Sequence, residues 1–179
     1  MDAGLVTRAT LPQWLADWLD HGAGWTDAVL AALSLRTPGH AALDDLARAA
    51  CLSSQRLAET VEQGAAFAAN IAALTGQPQA PAALPVAFGR ACAALPLPHP
   101  EIVAAFLQAQ AAAQVSAAVR FLPLGPVEGQ AMLAALQPAI LAAADRAARA
   151  TQDDLASAAW GADIAAMRHE TMPVRIFRS

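Results

Sequence analysis

The sequence predicts an all-α protein, a single-domain bundle of about eight to ten helices, and three observations carry that prediction. No segment sustains the period-2 alternation of β-branched residues that a half-buried strand requires. Apolar residues recur at helical spacing instead, as in Trp14, Leu15, Trp18 and Leu19. Alanine inflates the hydrophobic fraction to 56%, and alanine is the strongest helix former while burying little apolar area. At 179 residues the chain has the size of one domain that can bury a real core. Residues 1–166 are expected to form that domain and residues 167–179 a C-terminal tail.

Thr10-Leu11-Pro12-Gln13 reads as a capping box with Pro12 in the first turn, where its missing N–H costs nothing. A first helix should run to about Asp20 and stop at Gly22 and Gly24, with Trp14 and Trp18 most simply in the core. Thr26 or Asp27 would cap a second helix to about Leu35. Thr37-Pro38-Gly39 is a turn before a third helix from His40 to Ala50. Ser53 should open a long fourth helix with Leu57, Val61, Gly64, Ala65, Ala68, Ile71 and Leu74 on one face, ended by Gly76 at C′. Gly64 within it suggests a close helix contact.

Breakers at Gln77 to Pro81 and at Leu95 to Pro100 bracket a short helix, Leu84 to Ala94. Pro100 suits position N1 of a helix reaching about Phe121. Leu122-Pro123-Leu124-Gly125 ends that helix, Pro126 starts the next, and Pro138 should kink it near its middle. Thr151 to Asp154 is a cap before a last short helix through Trp160 toward Met167, and Pro173 forbids continuation.

Several function classes have no support. A net charge of −4 and a pI near 5.4 lack the basic footprint of a nucleic-acid binder. Cys51 and Cys92 have no CxxC spacing and sit in apolar surroundings, as small hydrophobes do. No charged n-region leads into an apolar stretch at Met1, so the cytoplasm is the expected compartment. Ile102 to Val119 is broken by Gln108, Gln110, Gln114 and Ser116 and is mostly alanine, too weakly apolar for a bilayer helix, so no membrane partner is expected.

The histidines at 21, 40, 99 and 169 show no metal-ligand spacing, so no metal site is expected. There is no GxxxxGK[ST] loop and no lysine at all, which excludes a P-loop hydrolase. No serine lies in a GxSxG turn. Asp44-Asp45 and Asp153-Asp154 look like solvated or capping residues. No catalytic residue and no cofactor site is therefore expected.

Two segments stand out from this background. Asp163 to Ser179 reads DIAAMRHETMPVRIFRS, a dense set of charged residues with a lone aromatic. A basic-aromatic tail suits docking, because guanidinium forks pair bidentately with carboxylates and an aromatic can anchor a pocket. Ala118 to Ile140 reads AVRFLPLGPVEGQAMLAALQPAI. Together with PVAFGRACA at 85–93, SSQRLAETVEQGAAF at 53–67 and AGLVTRATLPQWLADWLDHGAGWTDAVL at 3–30, these segments resemble the UreF family of urease accessory proteins, in order and over nearly the whole chain. The family's opening LPVG-type motif, Ser-rich turn and GLE-like triplet have no counterpart before Asp2, so a short or truncated member is expected.

The resemblance implies a non-enzymatic chaperone scaffold that bridges UreD (UreH in some systems) and the GTPase UreG while nickel is inserted into apo-urease, and that forms a homodimer. It implies partner docking by Met167, Arg168, His169, Glu170, Arg175, Phe177 and Arg178, with Arg175 as principal anchor. Pro173 departs from the polar-aromatic pair that family members carry more often. The turn residues Arg120, Pro123, Leu124, Gly125, Glu128, Gly129 and Gln130 are implied in the dimer or GTPase-facing surface. The alternatives are a truncated paralogue that no longer supports urease, and a helical small-ligand domain using Trp14, Trp18, Trp25 and Phe67.

Overall fold

Alanine-rich segments punctuated by proline and glycine give eight α-helices and one 3-10 turn among the described residues, with no strand. The computed structural model describes residues 6–156 together with Ile164 and Met167. The helices are α1 (Leu11–His21), α2 (Ala23–Arg36), α3 (His40–Ala49), α4 (Ser54–Thr75), α5 (Leu84–Cys92), α6 (His99–Phe121), α7 (Pro126–Ala135) and α8 (Gln137–Arg149), followed by the turn Gln152–Asp154.

α2 is the axis of the molecule. Its sequence, AGWTDAVLAALSLR, is apolar all round, as a helix covered on every side must be. Residues 27–35 are buried without interruption, and α1, α3, α5, α6 and α8 pack around it. The two polar groups in that run are satisfied: Ser34 Oγ donates to the Val86 carbonyl at 2.9 Å, and Asp27 pairs with Arg56 of α4. Burial pushes the Asp27 carboxyl up from its ordinary range against the opposing pull of Arg56, while Asp27 holds the guanidinium firmly protonated.

The first cap differs from the capping box read in the sequence. Thr10 has helical backbone and makes no side-chain cap bond to its own helix; its hydroxyl accepts from the Thr7 N–H at 2.9 Å, and Gln13 reaches forward to Asp17. Gly22 alone separates α1 from α2, serving as C-cap of one and N-cap of the other. Gly24 thus lies inside a helix, against the Trp18 indole, and Asp27 is a buried ion-pair partner instead of a cap. Trp18 is buried and Trp14 packs against the core.

Ser53 caps α4 as the sequence indicates, its hydroxyl accepting from the Arg56 N–H at 3.1 Å. Gly76 ends the helix in the left-handed region, φ +70°, which a residue without Cβ adopts at no steric cost. Between these caps the burial departs from the predicted apolar face: Thr60, Gly64 and Ala68 are buried, whereas Leu57, Val61 and Ile71 are half-buried and Leu74 is 82% exposed. α4 packs mainly on α5. A Cβ at Gly64 would lie 1.9 Å from the Ala82 carbonyl oxygen and 2.6 Å from the Leu84 nitrogen, so the close contact inferred from this glycine is with the start of α5 and the residues that lead into it.

That lead is held by side chains from two helices. Asp44 Oδ1 of α3 accepts from the Ala83 N–H at 2.6 Å, and Thr60 Oγ1 of α4 accepts from the Leu84 N–H at 3.3 Å. These satisfy donors at the start of α5 that its own turn leaves free. Asp44 is therefore a cap, one of the two roles read for it in the sequence, though for a helix distant along the chain. Phe67, Phe88 and Phe106 stack in series, with centroids 5.9 and 4.9 Å apart, tying α4 to α5 and α5 to α6.

α6 and α8 form the other wall. By length and composition α6 is long and apolar enough to cross a membrane, more apolar than the sequence reading allowed. Its apolar side chains Ile102, Val103, Phe106, Leu107, Val115 and Ala118 are buried in the core. Pro138 does not kink one helix: α7 and α8 are separate, bent by 45° at Leu136, with Pro138 in the first turn of α8. Arg36 closes two helix ends at once, donating to Ala32 at 3.2 Å and to the Ala148 and Ala150 carbonyls at 2.9 and 2.6 Å.

Candidate functional site

The Leu122–Gly125 turn joins α6 to α7, and its geometry follows from its proline and glycine spacing. The Leu122 N–H returns to the Ala118 carbonyl at 2.8 Å and closes α6. Leu124 turns inward and is buried. Gly125, extended at φ −74° and ψ 152°, is the N-cap of α7, and Pro126 occupies its first turn. Gly129 sits one turn on, buried against Val115 and Val119 of α6, where a Cβ would lie 2.8 Å from a Val119 methyl.

Of the seven turn residues, Leu124 and Gly129 thus face inward and fix the shape, while Arg120, Pro123, Gly125 and Gln130 are exposed. Glu128 lies in the first turn of α7, where the helix dipole favours an anion, and Arg8 Nε donates to its Oε1 at 2.6 Å. Sequence reasoning did not find Arg8, which is 120 residues away. It also passed over Phe121 and Val127, which are 40% and 84% exposed and give the turn its apolar surface.

Of the tail residues, Arg168, His169, Glu170, Arg175, Phe177 and Arg178 lie outside the described residues, as does the helix expected through Trp160. Met167 is helical and 44% exposed. Upstream of it, residues 151–155 are held in place. Trp25 Nε1 donates to the Asp154 carbonyl at 2.9 Å, and the Arg146 guanidinium stacks over the Trp25 ring at 4.2 Å. Asp154 accepts from the Thr151 N–H and hydroxyl at 2.7 and 3.0 Å, bonds that hold its carboxyl below the usual range. Leu155 packs on the core beyond them.

Trp25, Arg146, Arg149, Ala150 and Asp154 line an open cavity of about 250 Å³. Trp14, Trp18 and Phe67 do not line it, so the aromatic ligand pocket considered from the sequence is not assembled there. Both arginines are paired, Arg146 with Asp20 at 3.1 Å and Arg149 with Asp145 at 2.7 Å. Among the described residues no group of three or more His, Cys, Asp or Glu is placed to hold a metal ion. Cys51 and Cys92 are free thiols, half-buried and pushed up by burial.

The UreF family profile matches residues 5–137. The chain is 75% identical over 180 residues to the urease accessory protein UreF of Paracoccus denitrificans (strain Pd 1222), covering all of this chain and 84% of that protein. It is 56% identical over 171 residues to the urease accessory protein UreF of Cereibacter sphaeroides (strain ATCC 17029 / ATH 2.4.9), covering 96% and 81%. It is 44% identical over 182 residues to the protein of the same name from Roseobacter denitrificans (strain ATCC 33942 / OCh 114), covering 100% and 82%. With a matching profile over most of its length and such relatives along all of it, the chain belongs to the UreF family.

Proposed function

We propose that this protein is a cytoplasmic, non-enzymatic scaffold of urease maturation that bridges UreD (UreH) and the GTPase UreG while nickel is inserted into apo-urease, and that it works as a homodimer. The observation that carries the reading is the 75% identity, over all of this chain, to a urease accessory protein UreF. The surfaces described above are compatible with it: a rigid turn with exposed Phe121 and Val127, and an anchored base for the tail at Trp25 and Asp154. In this reading Met167 to Arg178 docks on UreD, with Arg175 as principal anchor. The Arg120–Gln130 turn contributes to the dimer or the GTPase-facing surface. Bound nickel belongs to the partners and the urease it reaches, not to this chain.

The test is size-exclusion chromatography with light scattering of the chain mixed with cognate UreD and then UreG. Co-elution in a larger stoichiometric complex is expected. Separate elution would favour a paralogue that no longer supports urease. Arg175→Ala should abolish or strongly weaken the UreD complex, and an unchanged complex would remove the tail assignment while leaving the scaffold role standing.

A further inference from the structure

We infer that Trp25 is a positioning residue for partner docking: its indole, with Arg146 stacked on it, fixes the point at which the chain leaves the domain on its way to Met167. The inference rests on the tail docking proposed above and adds what aims the tail.

Four elements converge on one backbone carbonyl. The Asp154 oxygen accepts from Trp25 Nε1 of α2 at 2.9 Å and from the Ala156 N–H at 3.0 Å, so the indole grips the turn from which the chain departs. Arg146 of α8 lies over that indole at 4.2 Å. Its guanidinium is held in turn by α1, pairing with the Asp20 carboxylate at 3.1 Å and donating to the Asp20 carbonyl at 3.3 Å. The turn is also locked from within: the Asp154 carboxylate accepts from the Thr151 N–H and hydroxyl, and the Leu155 N–H returns to the Gln152 carbonyl at 3.2 Å. Arg36 fixes the approach from α8 through the Ala148 and Ala150 carbonyls.

Little of the fold's stability rests on this clamp. The unbroken buried run of α2 begins at Asp27, whereas Trp25 is half-buried and its bond to Asp154 lies at the surface. A solvent-exposed hydrogen bond or cation–π contact adds little to global stability. What the clamp controls is geometry. Met167 lies twelve residues beyond Leu155, a tether that spans at most about 40 Å when fully extended. The space open to the tail is therefore centred on this turn, and a fixed root presents the tail to one partner site at a higher effective concentration than a root that swings. Loosening the root lowers the fraction of molecules poised to dock. Association then slows, while dissociation is unchanged because the bound tail is held by its contacts with the partner.

The experiment measures association and dissociation rates of the purified full chain on immobilised cognate UreD, for wild type, Trp25→Phe and Arg175→Ala. Trp25→Phe keeps a ring beneath Arg146 and removes the N–H. Its association rate should fall by about fivefold or more, with dissociation within about twofold of wild type and the thermal unfolding midpoint unchanged. A Trp25 that served only the fold would move the midpoint and leave the association rate of the folded protein as it was, which overturns the inference. If Trp25→Phe lowers the midpoint, Arg146→Leu, which uncovers the indole at a half-exposed position, carries the same comparison. Weakened binding by Arg175→Ala beside wild-type association by Trp25→Phe overturns the positioning role and spares the tail. An effect of Trp25→Phe confined to faster dissociation overturns it as well, because the indole would then touch the partner directly. Arg175→Ala that binds as tightly as wild type refutes the tail docking and this inference with it.

Discussion

α2 and α4 are both alanine-rich helices, yet they are held in opposite ways. α2, 14 residues long, is buried on all sides by five neighbours and owes its place to apolar area. α4, with 22 residues, buries Thr60, Gly64 and Ala68 and docks through a narrow seam, an ion pair to Asp27 and a hydroxyl bond to Leu84. What differs is whether a wall of neighbours exists for the side chains to enter. In α4 the small residues let backbone approach backbone and Phe67 packs on Phe88, while Leu74 at the helix end is left at the surface.

The largest effect should come from the buried axis. Leu30→Ala in α2, at 1% exposure, should cost about 3 kcal/mol in denaturant unfolding, whereas Leu74→Ala should stay within about 0.5 kcal/mol. Equal costs would erase the contrast between the two helices. Gly64→Leu should cost about 2 kcal/mol, because its Cβ would overlap the Ala82 carbonyl and lift α4 from α5. Hydrogen exchange should then rise along α4 and at Ala83 and Leu84 while α2 remains protected.

A smaller loss, about 1 kcal/mol, is expected from Ser53→Ala, which removes the α4 cap; thermal unfolding would measure it. The smallest prediction concerns pH. The Asp154 carboxyl sits below its ordinary range in the fold, so its contribution is present above about pH 4 and fades as pH falls through the lower folded value. Asp154→Asn should therefore flatten the acid limb of the unfolding curve. An identical acid limb in wild type and variant would show that the turn at Thr151 is not coupled to folding.

Much of the helix plan was legible because its signals are local. Ser53 and Gly76 bound α4 as read, and Pro126 begins α7, since capping and proline geometry act within a few residues. The readings that changed share a different cause. Thr10 was turned toward Thr7 and Asp27 toward Arg56, partners that a capping pattern does not specify. The turn at 122–125 was visible from its prolines and glycine, but its Arg8 partner was not, because nothing near Glu128 in the sequence points 120 residues back.

By itself the sequence determined the helical class, most helix boundaries and, through motifs spread along the chain, the family. Those depend on local propensity, on capping and on residue order, which the chain carries in one dimension. Only the tertiary structure decided which apolar residues are core and which are surface. Leu30 and Leu74 are the same side chain on similar helices, and burial is set by how many neighbours the fold brings to each, a quantity fixed only when α1, α3, α5, α6 and α8 close around α2 and leave α4 at the edge.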